Sequence, residues 1–209
     1  MIAIIDYGMG NIHSVKKALE LYGAKTKVSS NPQEISACQK IVLPGVGAFG
    51  DAMRELEKQG LVSLIREEVK NKKPFLGICL GMQLLFEKSE EAKNCKGLGI
   101  IKGDVKRFSD LNLKVPHMGW NQIKQRTEDR RLKTERCSLL KGMADNAFVY
   151  FCHSYYPEPE NKNVVAATTE YGIDFASVVW QDNLYGVQFH PEKSQGVGLK
   201  MLENFVNLC

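Results

Sequence analysis

The first half of the chain alternates between short apolar runs and segments with helical periodicity. The apolar runs predict four buried strands, at residues 1–6, 24–28, 40–43 and 74–79. Apolar side chains three and four positions apart predict helices at residues 11–22, 51–70 and 80–88. Gly60 predicts a break within the second of these helices. Strands that alternate with helices in this way predict an α/β fold with a doubly wound, mostly parallel sheet flanked by helices.

The pattern changes after about residue 97, where short β-like runs replace the helices. These runs predict further strands at residues 98–108, 113–124, 146–152, 163–169, 176–181 and 184–189. Residues 196–208 return to helical periodicity and predict a last helix. We therefore predict a single domain over residues 1–209, with a strand-rich C-terminal half.

Composition places the chain among ordinary globular proteins. Of its 209 residues, 44% are hydrophobic and 25% are charged, which excludes a disordered chain. No apolar run approaches the roughly 18 residues of a membrane helix. The N-terminus has no basic region and turns acidic at Asp6, unlike a signal peptide. The net charge of +4 is dispersed, whereas nucleic-acid-binding proteins concentrate basic residues on one face. We expect a cytoplasmic protein that binds neither membranes nor nucleic acid.

The cysteines predict no metal site, and the densest charged run predicts a solvated segment. Six cysteines lie far apart without a Cys-x-x-Cys pair, at positions 38, 79, 95, 137, 152 and 209. They fit neither a zinc site nor a disulfide framework and suggest reduced thiols in the cytosol. Residues 126–136 mix charges of both signs, which favours a solvated loop or helix end.

Residues 45–50, GVGAFG, follow the third predicted strand and match the G-x-G-x-x-G pattern of dinucleotide-binding loops. That pattern needs an acidic residue about 20 positions later, at the end of the next strand. Glu67 and Glu68 instead lie inside a predicted helix, so nucleotide binding is disfavoured and no cofactor is expected. The glycines still allow backbone N–H groups to approach a ligand closely.

Residues 77–81, GICLG, place a cysteine between two glycines where an apolar strand meets a helix. This is the strand-to-helix elbow of nucleophilic hydrolases, in which glycines avoid collisions in a tight turn. The elbow puts the Cys79 thiol at a helix N-terminus, where the dipole favours the thiolate. It also directs the Leu80 N–H towards a developing oxyanion. The alternative is a buried structural cysteine at a strand end.

Residues 190–192, His-Pro-Glu, supply a base and a carboxylate. Pro191 favours an extended conformation for His190, and residues two apart in an extended segment share a face. Glu192 can therefore orient the imidazole while His190 transfers protons, which completes a triad with the cysteine of the elbow. The alternatives are a surface pair or half of a metal site. The remaining histidines lie at no recognisable ligand spacing: His13, His117 and His153.

Motifs spread along the chain carry a family resemblance. GICLGMQ at 77–83 and FHPEKSQ at 189–195 resemble the class I glutamine amidotransferases, the Cys-His-Glu glutaminases with a flavodoxin-like fold. Within that class, further blocks resemble the glutaminase subunits of imidazole glycerol phosphate synthase, an enzyme of histidine biosynthesis. These blocks are DYGMGN at 6–11, PGVGAFG at 44–50, VPHMGWN at 115–121 and YFCHSYY at 150–156.

The resemblance implies hydrolysis of glutamine to glutamate and ammonia, with Cys79, His190 and Glu192 as the catalytic triad. It implies an oxyanion hole built from backbone N–H groups, those of Val46, Gly47 and Leu80. It implies substrate contacts from a larger set: Gly47, Gln83, His153, Ser154 and Tyr155.

The resemblance also implies a partner, because the whole chain is used by the glutaminase fold. In the family, a separate (β/α)8 cyclase subunit receives the ammonia through a tunnel and makes imidazole glycerol phosphate and AICAR ribotide. The residues expected at that heterodimer interface are Asn11, Trp120, Tyr150 and Lys193. The glycine-rich loop at 44–50 is a candidate switch that completes the oxyanion hole when the partner binds.

Three other interpretations stay open at this point. The chain could be a paralogous amidotransferase subunit for surface-sugar amidation, which can share these motifs. It could be a stand-alone cysteine hydrolase on a related fold. It could also be a binding module that kept the fold, although an intact triad argues against this.

Overall fold

The first half of the chain alternates strands and helices, as the hydrophobic pattern predicts. The computed structural model describes residues 1–109, 113–126 and 137–209, so residues 127–136 of the predicted charged loop lie outside the described residues. The strands of this half are β1 (Ile2–Ile5), β2 (Thr26–Ser29), β3 (Lys40–Gly45) and β4 (Phe75–Cys79). Its helices are α1 (Ile12–Glu20), α2 (Pro32–Ser36), α3 (Phe49–Lys58), α4 (Leu61–Lys70) and α5 (Leu80–Gln83).

The second half is rich in strands, and a helix follows the last of them. Its strands are β5 (Lys88–Ser89), β6 (Gly103–Arg107), β7 (His117–Gln125), β8 (Ala147–His153), β9 (Tyr155–Pro159), β10 (Val165–Glu170), β11 (Asp174–Gln181) and β12 (Leu184–Val187). The final helix is α6 (Gln195–Leu208). Short 3₁₀ helices lie at Ser138–Leu140, Lys162–Val164 and Pro191–Lys193.

Nine of the described strands form one sheet, in the order β2-β1-β3-β4-β12-β11-β10-β7-β8. The first five strands run parallel to one another, and the remaining pairs, from β12 with β11 onwards, are antiparallel. Strands β5, β6 and β9 form a separate three-stranded sheet. The predicted doubly wound parallel sheet is therefore confirmed, and the strand-rich second half extends it with antiparallel strands.

Alternate residues of each central strand face opposite helical layers. On β1, Ala3 and Ile5 belong to the core beneath α3 and α4, whereas Ile2 and Ile4 belong to the core beneath α1 and α6. This two-sided burial explains why the central strands read as continuous apolar runs. No helix within the described residues is long and apolar enough to cross a membrane.

The parallel register places the carboxyl ends of neighbouring strands side by side. Gly45 at the end of β3 pairs with Cys79 at the end of β4, and Ile78 of β4 pairs with Val187 of β12. The segments that follow these strands therefore emerge side by side at one edge. In open α/β sheets, this carboxyl edge is where ligands bind.

Several predicted boundaries are wrong, and the structure gives the reason. The helix predicted over 80–88 ends at Gln83 because the chain returns through another segment: the N–H groups of Leu98 and Ile100 donate to the carbonyls of Leu84 and Leu85. The hydrophobic pattern also does not predict β5, β9 or α2. Helix α2 carries a recognisable start signal, because Asn31 caps it and Pro32 opens it.

Candidate active site

Cys79 sits in a strained backbone conformation at the junction of β4 and α5. Its φ of 55° and ψ of −111° lie in a region that residues with a side chain rarely adopt. Both flanking glycines are required by close packing. A Cβ on Gly77 would lie 2.7 Å from the Gly81 carbonyl oxygen, and a Cβ on Gly81 would overlap the Leu43 carbonyl oxygen. The predicted elbow is therefore present, and the glycines hold its bend.

His190 and Glu192 form the buried pair that the sequence pattern suggests, but in another conformation. His190 Nδ1 lies 2.9 Å from Glu192 Oε1, and their side chains are 5% and 1% exposed. The predicted extended segment is wrong beyond His190, because Pro191–Lys193 form a 3₁₀ turn. Proline suits the first position of such a turn, and the turn brings the carboxylate back to the imidazole.

The His190 imidazole also reaches the cysteine of the elbow. Since Nδ1 faces Glu192, the other ring nitrogen, Nε2, is the one that can bond the Cys79 sulfur. Burial by itself lowers the pKa of His190, but hydrogen bonds and attraction to Cys79 and Glu192 outweigh it and raise the pKa to about 10. Glu192 Oε2 is buried and accepts no hydrogen bond from a described residue, whereas Oε1 of the same carboxylate faces His190. The site therefore favours the protonated, imidazolium form of His190.

Backbone hydrogen bonds fix the position of His190 against β8. The His190 N–H donates to the Tyr150 carbonyl oxygen at 2.9 Å. The Ser194 hydroxyl donates to the His190 carbonyl at 2.7 Å and accepts from the Tyr150 N–H at 2.9 Å. Ser194 is fully buried, so these bonds are shielded from water.

The predicted oxyanion residues lie on both sides of the cysteine. Leu80 is the first residue of α5, and the N–H groups of a first helical turn have no acceptor within the helix. Val46 and Gly47 directly follow β3, whose last residue pairs with Cys79. Gly47 has a φ of +99°, a conformation that residues with a side chain rarely adopt, so the backbone favours glycine there.

Gln83 and Gln188 form a buried pair beside the thiol. Gln83 Nε2 donates to the Tyr155 carbonyl oxygen at 2.9 Å and to Gln188 Oε1 at 3.0 Å. Gln188 Nε2 lies 3.8 Å from Cys79 Sγ. The sequence motifs point to Gln83 and Tyr155 but not to Gln188. A signal was available, because Gln188 stands two positions before His190 in the same segment.

His153, Ser154 and Tyr155 form the corner between β8 and β9. The Ser154 carbonyl oxygen accepts from the Phe108 N–H at 3.2 Å. His153 Nδ1 lies 2.8 Å from the Tyr155 carbonyl oxygen, which also accepts from Gln83. The structure thus brings Gln83 to the predicted 153–155 segment through one backbone carbonyl.

His153 of this corner is paired with a second buried histidine, His117, and the hydrogen bonds of the two rings fix both tautomers. Because a carbonyl oxygen only accepts, His153 Nδ1 must carry the proton, and its Nε2 then accepts from His117 Nδ1 at 3.0 Å. His117 Nε2 accepts in turn from the Asn121 amide at 3.3 Å. Burial lowers the pKa of His117 to about 4 and that of His153 to about 3. Both rings are therefore neutral near pH 7.

The outer surface of β7 and β8 exposes large side chains next to the His190 segment. Trp120 and Tyr150 are cross-strand neighbours with ring centroids 6.1 Å apart, and Trp120 is 46% exposed. Lys193 Nζ lies 5.9 Å from the centroid of the Tyr150 ring. Exposed side chains two positions along each strand extend this surface. We call it the β7–β8 face, formed by Met118, Trp120, Phe148 and Tyr150.

Asn11, the remaining predicted interface residue, lies at the start of α1. Its side chain makes no capping hydrogen bond to that helix. Helix α1 packs against the 3₁₀ turn at residues 191–193, which carries Lys193. The helix that begins after Asn11 thus contacts the turn that carries Lys193, another residue of the predicted interface.

Comparisons with known proteins identify the family of the chain. Residues 3–209 match the family of class I glutamine amidotransferases. The match covers nearly the whole chain, so this protein belongs to that family. Among solved structures, a crystal structure of a glutamine amidotransferase superposes with a TM-score of 0.74 at 17% identity, over 98% of this chain and 99% of that one. PurLQS from Thermotoga maritima gives a TM-score of 0.74 at 16% identity, over 98% and 96%. The predicted fold class is confirmed.

Closer relatives carry a more specific name. The chain is 50% identical over 211 residues to imidazole glycerol phosphate synthase subunit HisH 1 of Methanococcus maripaludis, with 100% of both chains covered. It is 50% identical over 208 residues to subunit HisH of Methanocaldococcus jannaschii, again over 100% of both. Subunit HisH of Aquifex aeolicus is 52% identical over 203 residues, which span 97% of this chain and 94% of that one.

Replacing Gly81 by alanine should distort the elbow. The new Cβ would overlap a backbone carbonyl, which cannot move without disturbing β3. We expect the free energy of unfolding to fall by about 3 kcal/mol, measured by urea denaturation. Gly196→Ala in α6 is the control, because a Cβ at that position would meet no neighbouring side chain or segment within 4 Å. Equal stability of the two variants would contradict the packing argument.

The neutral histidine pair predicts a loss of stability in mild acid. Unfolding restores an ordinary histidine pKa near 6.5, so the unfolded chain binds more protons than the native one between pH 6.5 and about 4. The free energy of unfolding should therefore fall by about 2 kcal/mol per histidine from pH 6.5 to 5. Denaturation across this range checks it. A variant with phenylalanine at both 117 and 153 should have a shallower slope, and an unchanged slope would contradict the assignment.

Proposed function

We propose that this chain is a glutaminase subunit of an imidazole glycerol phosphate synthase. It hydrolyses glutamine and passes the ammonia to a (β/α)8 cyclase subunit that makes imidazole glycerol phosphate and AICAR ribotide. The observation that carries the proposal is the buried contact of His190 with both Cys79 and Glu192 at the carboxyl edge of the sheet. Full-length identity of about 50% to HisH subunits supports the choice of synthase.

In the first half-reaction, the Cys79 thiolate attacks the side-chain carboxamide carbon of glutamine. The negative charge that forms on the carbonyl oxygen is held by the Leu80 N–H and by an N–H of the loop at Val46 and Gly47. One such donor is worth about 3 kcal/mol in a comparable acyl-transfer site. The C–N bond then breaks, and His190 gives its proton to the departing nitrogen. Ammonia leaves, and a thioester to Cys79 remains.

In the second half-reaction, the now neutral His190 takes a proton from water as the water oxygen attacks the thioester carbon. The C–S bond breaks, glutamate leaves, and the thiolate–imidazolium pair is restored. Glu192 keeps Nδ1 of His190 bonded throughout, so Nε2 always faces the sulfur and the substrate. Gln83, Gly47 and the corner at residues 153–155 hold the substrate in this scheme.

The β7–β8 face and Lys193 form the partner interface in this proposal, together with Asn11. Large aromatic side chains exposed beside a basic residue are typical anchors of protein–protein interfaces. The face also lies close to the source of ammonia, because the Tyr150 backbone bonds His190 directly. A short path favours transfer, since free ammonia in water is protonated near neutral pH and stops being a nucleophile.

Cys79→Ala should abolish glutamine-dependent turnover by the complex with the (β/α)8 cyclase, by at least about 10⁴-fold. Synthesis from added ammonium salt should continue, because the cyclase uses ammonia from any source. Glutamate release and product formation are measured separately, with Cys95→Ala as a matched thiol control. Glutamine-dependent turnover by Cys79→Ala would refute the triad. A chain that hydrolyses glutamine but never couples to the cyclase would instead favour another amidotransferase.

Trp120→Ala should weaken binding of the cyclase, because it removes an exposed aromatic side chain from the centre of the β7–β8 face. We expect a loss of about 2 kcal/mol, or roughly 30-fold in Kd, measured by titration with the purified cyclase. Leu21→Ala is the control. Leu21 is 69% exposed but follows α1 at the amino end of the parallel strands, away from the site. Equal effects of the two substitutions would exclude this face as the interface.

A further inference from the structure

Gln188 has a buried polar side chain to which the proposed catalytic scheme assigns no role. It is fully buried, directly after β12 and two positions before His190. Its side-chain amide bridges two groups of the site: Oε1 accepts from Gln83, and Nε2 lies 3.8 Å from Cys79 Sγ. Burying an amide is costly unless its partners are in place, so this arrangement is specific.

The direction of these hydrogen bonds follows from one backbone carbonyl. The Tyr155 oxygen can only accept, so Gln83 must turn its NH₂ group towards it. The second N–H of that group then points at Gln188, whose side-chain oxygen must accept the hydrogen bond. The NH₂ group of Gln188 is thereby directed at the sulfur. Neither amide can flip without placing two acceptors or two donors against each other.

This arrangement determines what Gln83 offers to a ligand. Both of its N–H groups are engaged, so the carbonyl oxygen is the group that remains to meet the substrate. A carbonyl oxygen accepts hydrogen bonds and suits an ammonium group, such as the one on the α-carbon of glutamine. Without the Gln188 oxygen, one N–H of Gln83 would lose its partner, and the amide could turn away.

The same arrangement affects the nucleophile. An N–H directed at sulfur at 3.8 Å is a weak donor contact, and it helps to hold the Cys79 side chain in one orientation. Gln188 carries no charge, so it does not compete with Glu192 for the proton of His190. Its contribution is to orient the sulfur and its neighbour rather than to transfer protons.

We propose that Gln188 is a positioning residue of the glutaminase site, which fixes the orientation of Gln83 through its oxygen and directs an N–H at the Cys79 sulfur. The inference rests on the proposed glutaminase function. It assigns two separable tasks to the two ends of one amide, and substitution can separate them.

Two substitutions separate the tasks in the complex with the cyclase. Gln188→Met removes both hydrogen bonds at similar length, and Gln188→Glu keeps an oxygen for Gln83 but removes the N–H towards sulfur. Each variant is assayed for kcat and KM with glutamine and for alkylation of Cys79 by iodoacetamide, which has no amino-acid end. Thr169→Val is the control, because it also removes a fully buried polar group, one that meets no hydrogen-bond partner among the described residues.

For Gln188→Met we expect KM to rise about tenfold and iodoacetamide alkylation to slow. For Gln188→Glu we expect KM to stay within about threefold of wild type while alkylation slows, because the acceptor for Gln83 is retained. A KM for Gln188→Met equal to that of wild type and of Thr169→Val would overturn the inference. So would equal changes in KM for both Gln188 variants. If one variant does not fold, the KM of the other variant alone is compared with its expected value and decides the test.

Wild-type activity separates this inference from the proposed function. A wild-type complex that releases no glutamate from glutamine would refute the function itself. An active wild type with an unaffected Gln188→Met would refute only the role of Gln188.

Discussion

The site depends on the parallel pairing of β4 with β12. Ile78 pairs with Val187, so the residues after each strand, Cys79 on one side and the segment from Gln188 to His190 on the other, emerge together. More than a hundred positions of sequence separate them. Closing so long a loop costs conformational entropy, and the burial of apolar side chains on both faces of the sheet offsets that cost. No further element is needed to bring Cys79 and His190 together, and the 3₁₀ turn adds the Glu192 carboxylate.

Partners decide the charge of each buried histidine. His190 faces a sulfur and a carboxylate, and its pKa rises to about 10. His153 is equally enclosed but faces a carbonyl oxygen and another imidazole, and its pKa falls to about 3. Burial penalises the imidazolium at both positions, and only the anionic partners reverse its effect. The same residue type is thus charged beside the Cys79 sulfur and neutral at the end of β8.

The sequence predicts those features whose cause is local. Glycines at 77 and 81 indicate the elbow, and unbroken apolar runs indicate the central strands. The prediction of an extended segment at residues 190–192 is wrong beyond His190. His190 is extended, as expected for the residue before a proline, but Pro191 then opens a 3₁₀ turn. The histidine pair cannot be foreseen from spacing, since the pairing of β7 with β8 brings His117 opposite His153. The spacing of Gln188 from His190 points to its place in the site, but its hydrogen bonds cannot be foreseen, because both partners lie on other segments.

Strand β8 joins the surface of the molecule to its reactive centre. Its outer side presents Tyr150 to solvent beside Trp120, while the backbone of the same residue bonds His190 and Ser194. Its inner side carries His153, whose carbonyl partner at Tyr155 also orients Gln83. A protein bound to the β7–β8 face would therefore contact the strand that holds His190 and, through the Tyr155 carbonyl, Gln83. Because the contact to His190 is made by backbone atoms, side-chain substitutions at residue 150 would alter the outer surface and leave that hydrogen bond in place.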